Sequence, residues 1–230
     1  MTSDPAAPLE ARELACRRGE RKLFGGLNLA LRPGRLVWLR ADNGRGKTSL
    51  LRLLAGLAAP DAGEVRAAGL PVRRAAAAGR APLYIGHANA LKDDLSAAET
   101  LAFTARLHGR IAQADAQSAP VRAALTRMGM GQRLDAPVRT LSQGQRRRIA
   151  LARLALEHAP LPWILDEPYD ALDSAGIAAL DGLLGEHVAR GGCAILTSHQ
   201  ALAASAPPAD TLWLTRTGLE VRPLATEPTP

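Results

Sequence analysis

Three short stretches carry residue types whose spacing points to phosphate chemistry. The first is ADNGRGKTS, Ala41 to Ser49. Glycines at positions 44 and 46 let backbone N–H groups converge on phosphate oxygens at a helix start, where the helix dipole adds its positive end. Lys47 would reach the β- and γ-phosphates of a nucleotide, and the Thr48 hydroxyl would serve Mg2+. The phosphate-loop pattern G-x-x-x-x-G-K-[ST] asks for glycine where this chain has Ala41. A methyl group is tolerable there if φ is negative. The second stretch, PLPWILDEP, ends an apolar run on two carboxylates. At such a strand end Asp166 would hold Mg2+, often through water, and Glu167 would polarise an attacking water. The third is LSQGQRRRIALARLAL, from Leu141. Gly144 allows a close backbone approach to phosphate, and Ser142 supplies a hydroxyl at a helix start. Taken alone, it also reads as a capped amphipathic helix with exposed arginines.

These stretches need elements to hold them. Residues 9–40 alternate short apolar runs with turn residues (LEARELAC, RRGERKLF, GGLNLAL, RLVWLR), a rhythm that predicts antiparallel strands joined by tight turns. From Lys47 the period becomes helical through Leu50, Leu51, Leu53, Leu54 and Leu57, and AAPDAG ends the helix. A second turn-rich stretch leads to a short strand over 82–86. Residues 96–134 read as mostly helical, broken near Gly109 and at Gly129-Met130-Gly131, and suggest a helical lobe of about 90–142. Ser142 caps a helix through Leu156. Leu161 to Leu165 is a buried strand, and Ser174 to Arg190 a helix stopped by Gly191-Gly192. CAILTSH is a further strand, Thr211 to Leu224 a closing hairpin, and residues 1–8 and 225–230 flexible ends around one domain of 9–224.

Composition narrows the setting more than the chemistry. Of 230 residues 47% are hydrophobic, enough for a folded core. The formal net charge is +7, yet only Lys22, Lys47 and Lys92 are lysines, and arginine supplies the rest. Such a charge admits nucleic acid or an anionic membrane as partner, and equally a solvated surface. Cys16 and Cys193 form no C-x-x-C pair, which suits a reducing compartment. MTSDPAAPLE lacks the basic-then-apolar pattern of a signal peptide, and no apolar run approaches the ~20 residues of a membrane helix.

In their order, the GRGKT loop, LSQGQ, ILDEP, ALD and a histidine after an apolar strand resemble the ATPase subunits of ABC transporters. The resemblance implies an α/β P-loop fold with an N-terminal antiparallel β subdomain and a helical subdomain, binding ATP and Mg2+. It assigns Ala41, Asp42, Asn43, Gly44, Arg45, Gly46, Lys47 and Thr48, with Ser49 following, to the Walker A loop. Leu141, Ser142, Gln143, Gly144 and Gln145 become the signature. Thr48 and Asp166 become metal ligands, Glu167 the general base and His199 the switch histidine. Two copies would dock head to tail, each ATP lying between one loop and the other copy's signature.

Two positions depart from the pattern. His87 stands where these ATPases usually carry a Mg2+-sensing glutamine, and Arg18 where an aromatic stacks on adenine. A guanidinium also stacks on adenine. With YIGH, LKDDLSAAETL, ALARL and WILDEP, both resemble the haem-exporter ATPases of bacterial cytochrome c maturation, the CcmA subfamily. Ala41 and the pair Asn89-Ala90 depart even from that subfamily. The resemblance implies a peripheral protein at the cytoplasmic face of the inner membrane. Its partners would be integral membrane chains (CcmB-like, with CcmC- and CcmD-like chains), and its work would serve haem delivery to a periplasmic haem chaperone. Scattered histidines predict no direct haem binding, and no nucleic acid is expected. Another cargo (lipid, lipoprotein or drug), a soluble DNA-associated ABC ATPase, and a regulator that never hydrolyses stay open as alternatives.

Overall fold

The structure, a computed structural model, describes residues 7–109 and 115–221. The predicted ends at 1–6 and 222–230 therefore lie outside the described residues. In chain order the elements begin with strands β1 (Leu9–Arg18), β2 (Arg21–Leu31) and β3 (Leu36–Arg40), then helix α1 (Lys47–Leu54). Strands β4 (Ala62–Ala67) and β5 (Leu70–Pro71), helix α2 (Val72–Ala77) and strand β6 (Leu83–Ile85) follow. Helices α3 (Ala97–Leu107), α4 (Ala119–Arg127) and α5 (Gln143–Ala155) come next, with 3-10 turns at Gly131–Arg133 and Val138–Thr140. The chain closes through β7 (Trp163–Leu165), α6 (Ser174–Ala189), β8 (Ala194–Leu196), β9 (Ala209–Leu214) and β10 (Leu219–Val221).

Two sheets result. One is antiparallel, in the order β2-β1-β4-β5. The other runs β10-β9-β3-β8-β7-β6 and is parallel except for its edge pair β9-β10. Three expectations change here. RRGERKLF divides, its first two arginines ending β1 and Gly19-Glu20 forming the turn, while RKLF and GGLNLAL are one continuous strand, β2. RLVWLR does not join the antiparallel set: β3 lies at the centre of the parallel sheet. Four of its five residues are buried, the mark of a strand covered on both faces. The turn-rich stretch before residue 82 holds β4, β5 and α2, which Val65, Ala67, Val72 and Ala75 alone anchor as buried apolar residues.

Alternation along the parallel strands builds two cores. Val37, Leu39, Ile164 and Ile195 face α1 and the antiparallel sheet. Leu36, Trp38, Trp163, Leu165, Ala194 and Leu196 face the other way, in one cluster with buried residues of α3, α4, α5 and α6. The parallel strands β3 and β7 both end at the same edge of the sheet, and in α/β sheets that carboxyl edge is where ligands bind.

Candidate nucleotide site

The phosphate loop occupies the turn between β3 and α1. Gly46 is the helix N-cap at φ 105°, and a methyl group there would sit 3.2 Å from the Leu23 side chain. Both conformation and space demand glycine. No side chain caps this helix end, so its first N–H groups have no intrahelical acceptor. Ala41 is absent from the residues at positive φ, so its methyl group is tolerated, and it packs against the core. Its carbonyl accepts a hydrogen bond from Lys47 Nζ at 3.0 Å. Arg45 leans back on Asp42, 3.4 Å away.

A cleft of about 410 Å3 opens above this loop. Its lining brings together Asp42 to Ser49 with His87, Asp166, Glu167 and His199, although these come from four separate segments. Arg18 reaches it from the end of β1, and β2 adds Arg21 and Leu23. Sequence reasoning missed the last two, because strand residues facing a cleft carry no local motif. Ser142, Gln143, Gly144 and Gln145 do not line the cleft.

The carboxylate pair is held by a short relay. Thr197 Oγ1 donates to Asp166 Oδ1 at 3.0 Å and accepts from the Glu167 backbone N–H at 2.9 Å. Asp166 Oδ2 is buried and has no hydrogen-bond partner. An acceptor left unsatisfied on a residue that lines the same polar cleft as Thr48 fits a cation, and Mg2+ commonly takes one or two carboxylates together with phosphates and water. Among the described residues no cluster of three or more His, Cys, Asp or Glu forms an all-protein metal site. Glu167 lies at φ 49°, a left-handed conformation that a non-glycine residue adopts only when its surroundings hold it. Its Oε2 accepts from the His199 backbone N–H at 2.9 Å, and its Oε1 lies 3.6 Å from His199 Nε2. His87 is exposed, with Nδ1 3.5 Å from Asp170 Oδ2.

LSQGQ forms a separate surface at the start of α5. Ser142 and Gln145 make a capping box: the Gln145 N–H donates to Ser142 Oγ at 3.3 Å, and the Ser142 N–H donates to Gln145 Oε1 at 3.0 Å. Asp173 caps α6 by accepting from the Gly176 N–H at 2.8 Å, and it pairs with Arg148. Further on, the Tyr169 hydroxyl donates to buried Asp181 at 2.7 Å, and Ser205 Oγ donates to the same carboxylate. Asp181 thus links the segment after Glu167 to the segment after His199, a link with no sequence signature. The α5 arginines also differ from expectation. Arg147 is buried, since the acceptors that satisfy it are backbone carbonyls from distant segments.

A model of the ABC transporter family matches residues 24–170. A protein of Methylococcus capsulatus (strain ATCC 33009 / NCIMB 11132 / Bath), named cytochrome c biogenesis ATP-binding export protein CcmA, is 50% identical over 197 residues, covering 85% of this chain and 93% of its own. A protein of the same name from Aromatoleum aromaticum (strain DSM 19018 / LMG 30748 / EbN1) is 47% identical over 206 residues, covering 87% and 92%. Among solved structures, an ATP binding subunit of an ABC transporter superposes with a TM-score of 0.81 at 21% identity, covering 94% of this chain and 90% of its own. A putative ABC transporter ATP-binding protein from Pyrococcus furiosus gives 0.71 at 23% identity, covering 90% and 96%. The structural likenesses establish the fold, and the family model with the close relatives establishes more: this chain belongs to the ABC transporter family, as an ATPase resembling the CcmA proteins.

Proposed function

We propose that this chain is the ATP-hydrolysing subunit of a membrane complex for cytochrome c biogenesis, one that exports haem or releases the loaded haem chaperone. The observation that carries the hydrolytic part is the convergence of Lys47, Thr48, Asp166, Glu167 and His199 on one cleft. The names of relatives about half identical to this chain carry the biological part.

Lys47 leaves the Ala41 carbonyl for the β- and γ-phosphates, and the uncapped start of α1 receives phosphate oxygens. Arg18 lies at the cleft rim, where its guanidinium stacks on adenine. Thr48 and Asp166 would hold Mg2+, which when bound neutralises charge on the phosphate oxygens. Glu167 takes a proton from the attacking water. The His199 N–H fixes one of its carboxylate oxygens, and the His199 imidazole lies beside the other. His87 borders the cleft and Asp170, in place of an amide that would sense the metal.

The signature residues lie outside this cleft and serve the cleft of a second copy. Ser142 Oγ accepts from Gln145, which leaves its O–H free to donate to a phosphate. Gln143 and Gly144 sit beside it on the same turn. An ATP held in this way closes a head-to-tail dimer.

Membrane attachment needs a partner: among the described residues no helix is long and apolar enough to cross a bilayer. The segment from His87 to Phe103 supplies the contact with CcmB-like membrane chains, CcmC- and CcmD-like chains completing the complex. Lys92 is exposed and lies over the Phe103 ring, 5.0 Å from its centroid. Phe103, Leu107 and Leu57 are exposed apolar side chains, and the last two line a groove of about 580 Å3 between the turn after α1, α2 and the end of α3.

Glu167→Gln tests both halves, because an amide oxygen cannot take the water's proton. The variant should bind MgATP, turn it over very slowly and dimerise in its presence, and a strain carrying it should lack mature c-type cytochromes while other haem proteins stay normal. Unimpaired turnover would overturn the general-base assignment. Normal c-type cytochromes with a stably expressed variant would overturn the cargo.

A further inference from the structure

Helix α5 carries three consecutive arginines, Arg146 to Arg148, directly after Gln143-Gly144-Gln145, and the structure sends them to three different places. Arg146 pairs with Asp93 at 3.2 Å and donates to the Arg139 carbonyl at 3.2 Å, on the helical side of the molecule. Arg148 donates to the Met128 carbonyl at 2.8 Å, at the end of α4, and pairs with Asp173 at the start of α6. Arg147 points inward and is 2% exposed. One of its terminal nitrogens donates to the Gly86 carbonyl at 2.8 Å and to Asn89 Oδ1 at 3.1 Å. The other donates to the carbonyls of Asp166 at 2.9 Å and Glu167 at 2.7 Å, and Nε donates to Pro168 at 3.3 Å. A buried guanidinium is tolerated only when its donors are met in this way.

These partners flank two sites at once. Gly86 and Asn89 bracket His87, while Asp166, Glu167 and Pro168 are the exit of β7. Arg147 does not line the cleft, so it touches neither nucleotide nor water there. It reaches the chemistry through backbone. Glu167 sits at φ 49°, its N–H held by Thr197 and its carbonyl by Arg147. Without Arg147 the carbonyl keeps only the longer bond from the Asp170 N–H, at 3.2 Å within its own turn, and loses its tie to α5.

We propose that Arg147 is a positioning residue for ATP hydrolysis: it fastens the loop carrying His87 to the strand exit carrying Glu167, so that a displacement of α5 re-aims the Glu167 carboxylate. The proposal rests on the reading of Glu167 as general base. α5 also carries Arg146 and Arg148, whose partners lie on the segments around Asp93 and Met128. A load applied there reaches Arg147 along a single helical turn. A planar fork spans acceptors on two segments, whereas an ammonium is a point charge with three donors. Arg147→Lys therefore keeps the charge and loses the span.

The test uses the full-length chain with its membrane subunits and MgATP as the probe. Arg147→Lys should lower kcat about 10- to 100-fold, as expected when a reacting group is misplaced by about an ångström or less. ATP affinity should stay within about threefold, because the cleft lining is untouched. In a Glu167→Gln background the same change should add no further loss, since both act through one group. Three results would overturn the proposal: an unchanged kcat, penalties that multiply in the double variant, or turnover and ATP affinity lost together with the melting temperature, which is the pattern of a merely structural arginine. If Arg147→Lys does not fold, Asn89→Ala removes a single acceptor from the half-buried loop. It should lower kcat about threefold at constant ATP affinity, and wild-type kcat in that variant would overturn the proposal. Full turnover by Glu167→Gln alone would instead overturn the general-base reading on which it rests.

Discussion

Gly144 offers a perturbation whose size follows from the coordinates. A methyl group built on it would lie 2.6 Å from the Ala171 carbonyl oxygen. Carbon–oxygen contacts relax to roughly 3.3 Å, so Gly144→Ala must part the two backbones by about 0.7 Å. Neither side yields easily. Gly144 lies in the first turn of α5, pinned by the Ser142–Gln145 capping box, and Ala171 already sits at φ 61°. Overpacking of this kind costs about 1–3 kcal/mol. For a chain of this length each kcal/mol lowers Tm by about 2–4 °C, so a drop of roughly 2–12 °C is expected. The larger effect should be on turnover. The displaced segment runs back to Glu167, whose carbonyl accepts from the Asp170 N–H at 3.2 Å. Sub-ångström misplacement near a reacting group should reduce kcat about 10- to 100-fold. ATP affinity of the isolated chain should stay within about threefold, because Gly144 is not part of the cleft lining. Calorimetry of unfolding, nucleotide titration and steady-state ATP turnover on one preparation separate these effects. A lowered Tm with wild-type kcat would show that the contact with Ala171 serves only the fold. Wild-type values of both would show that the two backbones part freely, and the reasoning from their contact would fail.

Two further outcomes are expected. Lys47→Ala should abolish MgATP binding, since Arg45 is turned toward Asp42 and does not replace the lost charge, whereas Ala41→Gly should change affinity by no more than about tenfold, or ~1.4 kcal/mol; calorimetric titration showing equal affinity for Lys47→Ala and wild type would refute this. His187 is buried against Trp163, with ring centroids 3.7 Å apart, and desolvation, followed by the Arg190 guanidinium, pushes its pKa down to about 4. The unfolded chain, with a histidine pKa near 6.5, binds the extra proton between those values, so stability falls as pH drops from about 6.5 toward 4. Between pH 7 and 5 this histidine should account for about 2 kcal/mol of lost stability, and His187→Phe should lose that much less in urea denaturation. Equal losses in variant and wild type would show that burial does not hold His187 neutral.

The residues that gather in the candidate cleft were legible in the sequence because they ride on short contiguous stretches. Gly46 needs an unusual backbone, Lys47 and Thr48 follow it by covalent connection, and Asp166-Glu167 must end a buried apolar strand; each constraint is local, so spacing alone reports it. The helix start at Ser142 was legible for the same reason: a cap is a bond between near neighbours in the chain. Strand partnership was not. RLVWLR has the length and composition of either kind of strand, and only packing between α1 on one face and the helices on the other made β3 a central parallel strand. Nor could RRR be resolved into its parts. Three identical side chains in a row differ only in which acceptors the fold delivers to each, and Arg147 is met by carbonyls from β7's exit and the loop carrying His87. The relay through Thr197 and the link through Asp181 follow the same rule. What residues can do alone or with their neighbours is written in the chain, while what a buried polar group requires from distant segments is decided only when the fold brings its partners within hydrogen-bond distance.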